Sequence, residues 1–134
     1  MAEILKSIAL GVIQNNGNIL VIQRKELERG LNDETLTWVF PGGKVESSET
    51  VYDSVIREVY EETGYKVKAT STIDEKQHPT FPAYVSYVAC ELVDDNAGKN
   101  KDMGIAEVRW VSISEFQNII TSTLNSKVKS YLGL

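Results

Sequence analysis

Residues 43–65 read GKVESSETVYDSVIREVYEETGY, and the acidic residues late in this stretch stand where an ordinary helix would not carry them. Pro41, Gly42 and Gly43 interrupt the chain just before it, Ser47 and Ser48 offer a helix N-cap, and Gly64 offers a closing residue. The stretch therefore predicts a single helix over 49–63. Val51, Val55 and Val59, with Tyr52 and Ile56, recur at helical spacing and form its core-facing stripe. At about 100° per residue, Glu58 and Glu62 fall beside Val51 and Val55, on the edge of the apolar arc. Glu61 lies roughly 80–100° round on the other side of that edge. Three carboxylates thus gather where the helix dipole is already negative. Each costs roughly 0.3–1 kcal/mol there, and like charges four residues apart add a few tenths. A cluster that breaks two local rules calls for a cation, and oxygen donors alone suit Mg²⁺ or Mn²⁺.

The same residues resemble the Nudix box of the MutT/Nudix hydrolases, G-x5-E-x7-R-E-U-x-E-E-x-G-U, with U a bulky aliphatic. Gly43, Glu49, Arg57, Glu58, Val59, Glu61, Glu62, Gly64 and Tyr65 fill it, and only Tyr65 departs, as an aromatic in the last aliphatic slot. Tyr65 reads as the first residue of a strand. The seven fixed residues would coincide by chance in on the order of one window in 10⁸, which sets aside a plain salt-bridged surface helix.

Outward from the helix, the chain alternates short elements without internal repeats. Residues 7–14 and 19–23 read as paired strands around the turn Asn15-Asn16-Gly17-Asn18. Residues 24–37 are polar and read as a loop, and 38–40 as a short strand delivering the glycine turn. Residues 66–73 and 83–92 are β-rich, residues 94–104 (DDNAGKNKDMG) read as a flexible surface loop, and 108–111 as a last strand. Ser112 with Glu115 predicts a capped helix to about Ile120, and Leu124, Val128, Tyr131 and Leu132 a closing amphipathic helix. The expected fold class is α/β. The resemblance implies a Nudix-type α/β/α sandwich with a mixed β-sheet, a single Nudix hydrolase domain over 1–134.

Composition bounds partners and compartment. With 134 residues and 42% hydrophobic content, the chain can bury one core. A net charge of −5 argues against duplex nucleic acid as a partner. An anionic substrate then needs metal ions and local Lys or Arg to reverse the field. The one cysteine, Cys90, sits in an apolar run and reads as a core residue, and its isolation suits a reducing, cytoplasmic setting. The N-terminus lacks a signal-peptide pattern, and no run reaches membrane-spanning length, so no membrane partner is expected.

The resemblance implies a pyrophosphohydrolase acting on nucleotides. It carries metal binding onto Glu58, Glu61 and Glu62, with the Gly42 carbonyl as a further ligand. Arg57 and Glu49 join Glu58 and Glu61 as catalytic residues: Arg57 is placed to hold a carboxylate in its ligating rotamer, and Glu49 to pair with Arg57. The general base is either a box glutamate or a loop acid, with Asp102 and Glu107 the loop candidates. Arg24 and Lys44 are candidates for phosphate contact. Trp38, Phe81 and Tyr84 are candidates for stacking a base, although Trp38 and Tyr84 read first as packing residues. His78, the only histidine, reads as exposed. The expected reaction takes a (d)NTP, with oxidised dGTP among the candidates, to NMP and pyrophosphate. ADP-ribose or a dinucleoside polyphosphate is the alternative substrate, and a non-catalytic nucleotide sensor the alternative class. Many relatives are dimers, so the resemblance allows a homodimer.

Overall fold

The computed structural model describes residues 6–29, 35–77, 82–98, 102–120 and 124–134. Phe81, His78 and Pro79 lie outside these described residues. Strands β1 (Lys6–Asn15) and β2 (Asn18–Arg29) flank a turn at Asn16 and Gly17, both with positive φ. Then come β3 (Thr35–Val39), β4 (Gly42–Lys44), helix α1 (Val51–Thr63), β5 (Val67–Gln77), β6 (Ala83–Leu92) and β7 (Ile105–Ser112). Two short helices, α2 (Ile113–Ile119) and α3 (Ser126–Tyr131), end the chain. The sheet runs β3-β2-β1-β6-β5, with β4 also on β1 and β7 also on β2. The β1–β6 pair is parallel and the other pairs are antiparallel, so the sheet is mixed.

The two-residue period of the strands divides the core between the faces of this sheet. Ala9 and Ile13 of β1 and Leu20 of β2 pack with Val55 and Val59 of α1. Val12, Ile19 and Val21 pack on the other side with Phe40, Phe116 of α2, Val128 of α3 and Leu132 just after it. Helices therefore cover both faces, and the fold is the expected α/β/α sandwich.

Several boundaries differ from the sequence reading. Helix α1 begins at Val51 and not at 49, because Thr50 and not Ser47 or Ser48 is the N-cap. The Thr50 hydroxyl accepts from the Asp53 N–H at 3.1 Å, and the Asp53 carboxylate accepts the Thr50 N–H at 3.4 Å. That reciprocal pair outcompetes a lone serine, and it leaves Glu49 outside the helix. The polar segment read as a loop over 24–37 is largely strand: β2 runs on to Arg29 and pairs with β3 through a register shift between Gln23 and Glu28. Its polarity conceals it, since backbone ladders need no apolar side chains. For the same reason β5 extends beyond Ile73 to Gln77, pairing Glu75 with Ser86 and Gln77 with Tyr84. Tyr65 precedes β5 and does not begin it, and its ring meets Trp110 edge-on at 5.5 Å. The loop read as a free surface segment is tied down by backbone. The Gly98 N–H donates to the Gly64 carbonyl at 2.7 Å, and the Asp102 N–H to the Glu61 carbonyl at 3.2 Å. Met103, the one large apolar residue of that loop, is 83% exposed.

Candidate active site

The site is built where β4 meets the end of α1. Gly42 has φ +151°, and a Cβ there would lie 2.1 Å from the Ala9 carbonyl oxygen. Only glycine lets β4 press this closely on β1. The close approach carries the Gly42 N–H to Glu62, whose carboxylate accepts it at 2.7 Å. Next to it, a Cβ on Gly43 would lie 2.9 Å from the Glu58 carboxyl carbon, so the bare backbone of Gly43 forms the seat of that carboxylate. One turn and two glycines therefore aim two of the helix carboxylates.

Charge pairing organises the rest. Arg57 Nη2 donates to Glu49 Oε1 at 2.6 Å and Nε to Glu49 Oε2 at 3.0 Å, a two-pronged pair. Its Nη1 donates to Glu58 at 2.9 Å and to Glu61 at 3.2 Å. This arginine holds Glu49 well down, to about 2, and Glu49 first and then Glu58 hold its own pKa up. Glu58 is half-buried, and burial raises its pKa against the pull of Arg57. Glu62 is 1% exposed, and burial pushes it up to about 7 although Arg24 and the Gly42 N–H oppose the shift. Arg24 Nη2 lies 3.2 Å from Glu62 Oε2 and donates to the Gly42 carbonyl at 3.2 Å. Asp102, fixed through its N–H to Glu61, adds negative potential at both Glu58 and Glu62.

The structure thus brings together Gly42, Glu49, Arg57, Glu58, Glu61, Glu62, Arg24 and Asp102. Other candidates stand elsewhere. Lys44 exposes its side chain, and its carbonyl is what Arg57 and Ser54 contact. Glu107 is engaged by Arg109 at 2.7 Å, and that guanidinium lies 4.6 Å above the Trp38 ring. Trp38 is half-buried against the core cluster of α2 and α3. Tyr84 donates its hydroxyl to Glu75 at 3.1 Å. Trp38 stands on β3 and Tyr84 on β6, with β2 and β1 between those strands in the sheet order.

Two features escaped the sequence reading. The contacts of Arg24 with Glu62 and the Gly42 carbonyl were not foreseen; the signal was an arginine continuing the buried phase of Leu20 and Ile22. Asn125 was not singled out at all. It caps α3 by accepting from the Lys127 and Val128 N–H groups, and it donates to Asp74 on β5 at 2.9 Å. No local pattern announces a pair 51 residues apart.

In chemistry, the donor set is carboxylate and carbonyl oxygen, which suits a hard divalent cation. In the arrangement present, Glu58 and Glu61 are turned to Arg57 and Glu62 to Arg24. Among the described residues no three acidic side chains stand close enough to share one ion as they lie. Fitting a cation therefore asks for rearrangement of glutamates already gathered at the site.

A mixed sheet between helices, with a glycine turn feeding a carboxylate-rich helix end, defines a class of phosphoanhydride hydrolases. The family model "NUDIX domain" matches residues 5–130, and the chain belongs to the Nudix hydrolase family. It is 30% identical over 123 residues to the uncharacterized Nudix hydrolase YvcI of Bacillus subtilis, covering 86% of this chain and 71% of that one. It is 36% identical over 75 residues to the 8-oxo-dGTP diphosphatase of Proteus vulgaris, covering 56% of this chain and 63% of the relative. A crystal structure of a Nudix hydrolase from Nitrosomonas europaea superposes with a TM-score of 0.80 at 20% identity, over 99% of this chain and 73% of that one. The chain thus spans less than two thirds of the Proteus vulgaris protein. Hydrolases of this family act on nucleotide substrates and generally need divalent metal ions. Among the described residues no helix is long and apolar enough to cross a membrane.

Proposed function

We propose that this chain hydrolyses a (d)NTP, with oxidised dGTP among its substrates, to a nucleoside monophosphate and pyrophosphate in the presence of Mg²⁺ or Mn²⁺. The observation that carries the reading is the Gly42–Gly43 turn, which aims the carboxylates of Glu62 and Glu58 while its own carbonyl faces the same place. The relative named an 8-oxo-dGTP diphosphatase supports the triphosphate class.

Glu58, Glu61, Glu62 and the Gly42 carbonyl would hold the metal. Bound there, the ion neutralises phosphate charge and makes water a better nucleophile. Arg57 keeps Glu58 and Glu61 side by side, and Glu49 fixes Arg57 from below, so that two like charges stay aimed at one place. Of the acids outside the box, Asp102 is the better general base, because its field reaches Glu58 and Glu62 while Glu107 is held by Arg109. Base recognition falls to groups away from the metal, so base identity acts mainly on binding and the phosphate chain on the chemical step.

Hydrolysis of dGTP and 8-oxo-dGTP in ¹⁸O-labelled water tests this. With attack at the β-phosphorus, the label appears in pyrophosphate and activity vanishes in excess EDTA. Label in the monophosphate would move the attack to the α-phosphorus, and orthophosphate as first product would misplace the scissile bond. ADP-ribose turned over far faster than every triphosphate would replace the substrate class. Binding without any turnover would make the protein a sensor.

A further inference from the structure

We propose that Gly64 and Gly98 form a backbone latch that holds the segment after β6 against the end of α1, and that the closed latch places the Asp102 carboxylate for the hydrolysis. Both glycines are then positioning residues. The inference rests on the proposed hydrolysis, with Asp102 acting at the metal-binding glutamates.

The helix end supplies the docking groups. A helix leaves its last carbonyls without partners inside the helix, and the Glu61 carbonyl accepts the Asp102 N–H at 3.2 Å. Gly64 ends α1 at φ 79°, with its own N–H on the Tyr60 carbonyl at 2.9 Å. Its carbonyl then accepts the Gly98 N–H at 2.7 Å. The left-handed φ favours glycine at the cap, but the packing asks for more. A Cβ on Gly64 would stand 2.2 Å from the Gly98 carbonyl oxygen and 2.8 Å from its carbon. Two stretches of backbone can meet this closely only over a bare Cα. The requirement is one-sided, since a Cβ on Gly98 would lie 3.4 Å from the Gly64 oxygen, an ordinary contact.

Hydrogen bonds on either side of the latch carry it to the site. Before it, the Val93 N–H donates to the Lys66 carbonyl at 2.9 Å; beyond it, the Gly104 carbonyl accepts the Lys25 N–H at 2.8 Å. One oxygen of the Asp102 carboxylate accepts the Gly104 N–H at 2.8 Å, so the side chain is held by its own turn. The charge so held acts on both Glu58 and Glu62. Coulombic interaction falls with distance, so a segment lifted from the helix end takes that carboxylate away from the centre.

Gly64→Asn separates the latch from the cap. Asparagine accepts the left-handed conformation, so the helix end is preserved while the new Cβ displaces Gly98. Gly17→Asn is the control, because Gly17 has φ 80° and a Cβ there would meet no described atom within 4 Å. Amide hydrogen exchange reads the latch, and kcat and KM for dGTP and 8-oxo-dGTP read its consequence. In Gly64→Asn the Gly98 and Asp102 amides should exchange about tenfold faster or more. Its kcat should fall roughly 10–100-fold, with KM changed less. Gly17→Asn should stay within about twofold of the parent in both readouts. Asp102→Asn keeps an acceptor for the Gly104 N–H and removes the charge. Added to that variant, Gly64→Asn should lower kcat by no more than about twofold, because the latch acts through the missing carboxylate. Should Gly64→Asn not fold, Gly98→Pro removes the N–H given to Gly64 and alters no residue of α1. It should reproduce the loss of kcat, whereas Gly98→Ala should keep the parent's rate. Unchanged exchange in Gly64→Asn, a parental kcat with the latch open, or full additivity of Gly64→Asn and Asp102→Asn would overturn the proposal. A parent that turns over neither nucleotide would instead overturn the hydrolysis on which it rests.

Discussion

Gly43→Ala should cripple turnover while sparing the fold. The added methyl would sit 2.9 Å from the Glu58 carboxyl carbon and 3.0 and 3.1 Å from its oxygens. Ordinary carbon contacts lie at about 3.5–4.0 Å, so something must move by several tenths of an ångström. What moves is the far end of a flexible side chain, and an off-rotamer Glu58 costs only about 0.5–1.5 kcal/mol. The same movement draws Glu58 from Arg57, now 2.9 Å away, and from its place beside Glu62. Losses of about 10–100-fold accompany misplaced groups that support a metal ligand, so kcat should fall by that factor. Gly42→Ala is the contrasting variant. Its methyl would meet the Ala9 carbonyl oxygen at 2.1 Å, backbone against backbone, at a φ of +151°. That variant should lose more than about 3 kcal/mol or fail to fold. Pyrophosphate release and thermal melts on the pair give the answer. A Gly43→Ala protein with the parent's kcat, or one destabilised as severely as Gly42→Ala, would refute the reasoning.

The other predictions concern groups around this centre. Arg57→Lys loses the two-pronged grip on Glu49 and cannot span Glu49, Glu58 and Glu61 together; kcat should drop roughly 10–100-fold with little change in KM or melting temperature. Asn125→Ala removes the cap of α3 and the link to β5, and chemical denaturation should show a loss of about 1–2 kcal/mol with activity per folded molecule preserved. Asp74 is held below its ordinary value, first by Asn125 and then by Lys127, with Tyr87 and the Glu75 backbone also facing it. A depressed carboxylate stabilises the fold above its unfolded pKa and loses that contribution as pH falls through the folded value. Asp74→Asn should therefore flatten the acid limb of the stability curve below about pH 4, as followed by melts across pH. Cys90, pushed up to about 12 by burial, should resist iodoacetamide at pH 8 until the protein is unfolded.

The sequence disclosed the elements whose chemistry is local. Helix α1 announced itself because Val51, Val55 and Val59 keep a helical period and Gly64 ends it in the left-handed region, at φ 79°. Strand β6 was legible to the residue, since Ala83–Leu92 is an almost unbroken apolar run. What stayed hidden was set by backbone or by distance in the chain. The outer parts of β2 and β5 are polar, and their pairing rests on ladders that carry no side-chain signature. Thr50 and Ser48 are equally good caps on paper, and only the answering Asp53 decides between them. At the site, the grouping of Glu49, Arg57, Glu58 and Glu61 followed from the box. The partner of Glu62 lies on another strand, and periodicity along the helix says nothing of it.

That partner changes the energetic sense of the acidic helix end. Taken from the sequence alone, the three glutamates oppose the helix dipole and each other, and neutralising any of them should relieve the fold. In the structure each carboxylate already has a counter-charge: Arg57 serves Glu58 and Glu61, and Arg24 serves Glu62. The helix carbonyls that create the unfavourable dipole are answered as well, with Glu61 and Gly64 accepting N–H groups from the 94–104 segment. The penalty is thus met by two arginines and a docked loop. On the proposed function, both arginine contacts draw on the oxygens that a metal would use. Glu58 and Glu62 are therefore not equivalent. Glu58 lies half-buried beside an arginine that Glu49 grips, whereas Glu62 is almost wholly buried between Arg24 and the Gly42 N–H.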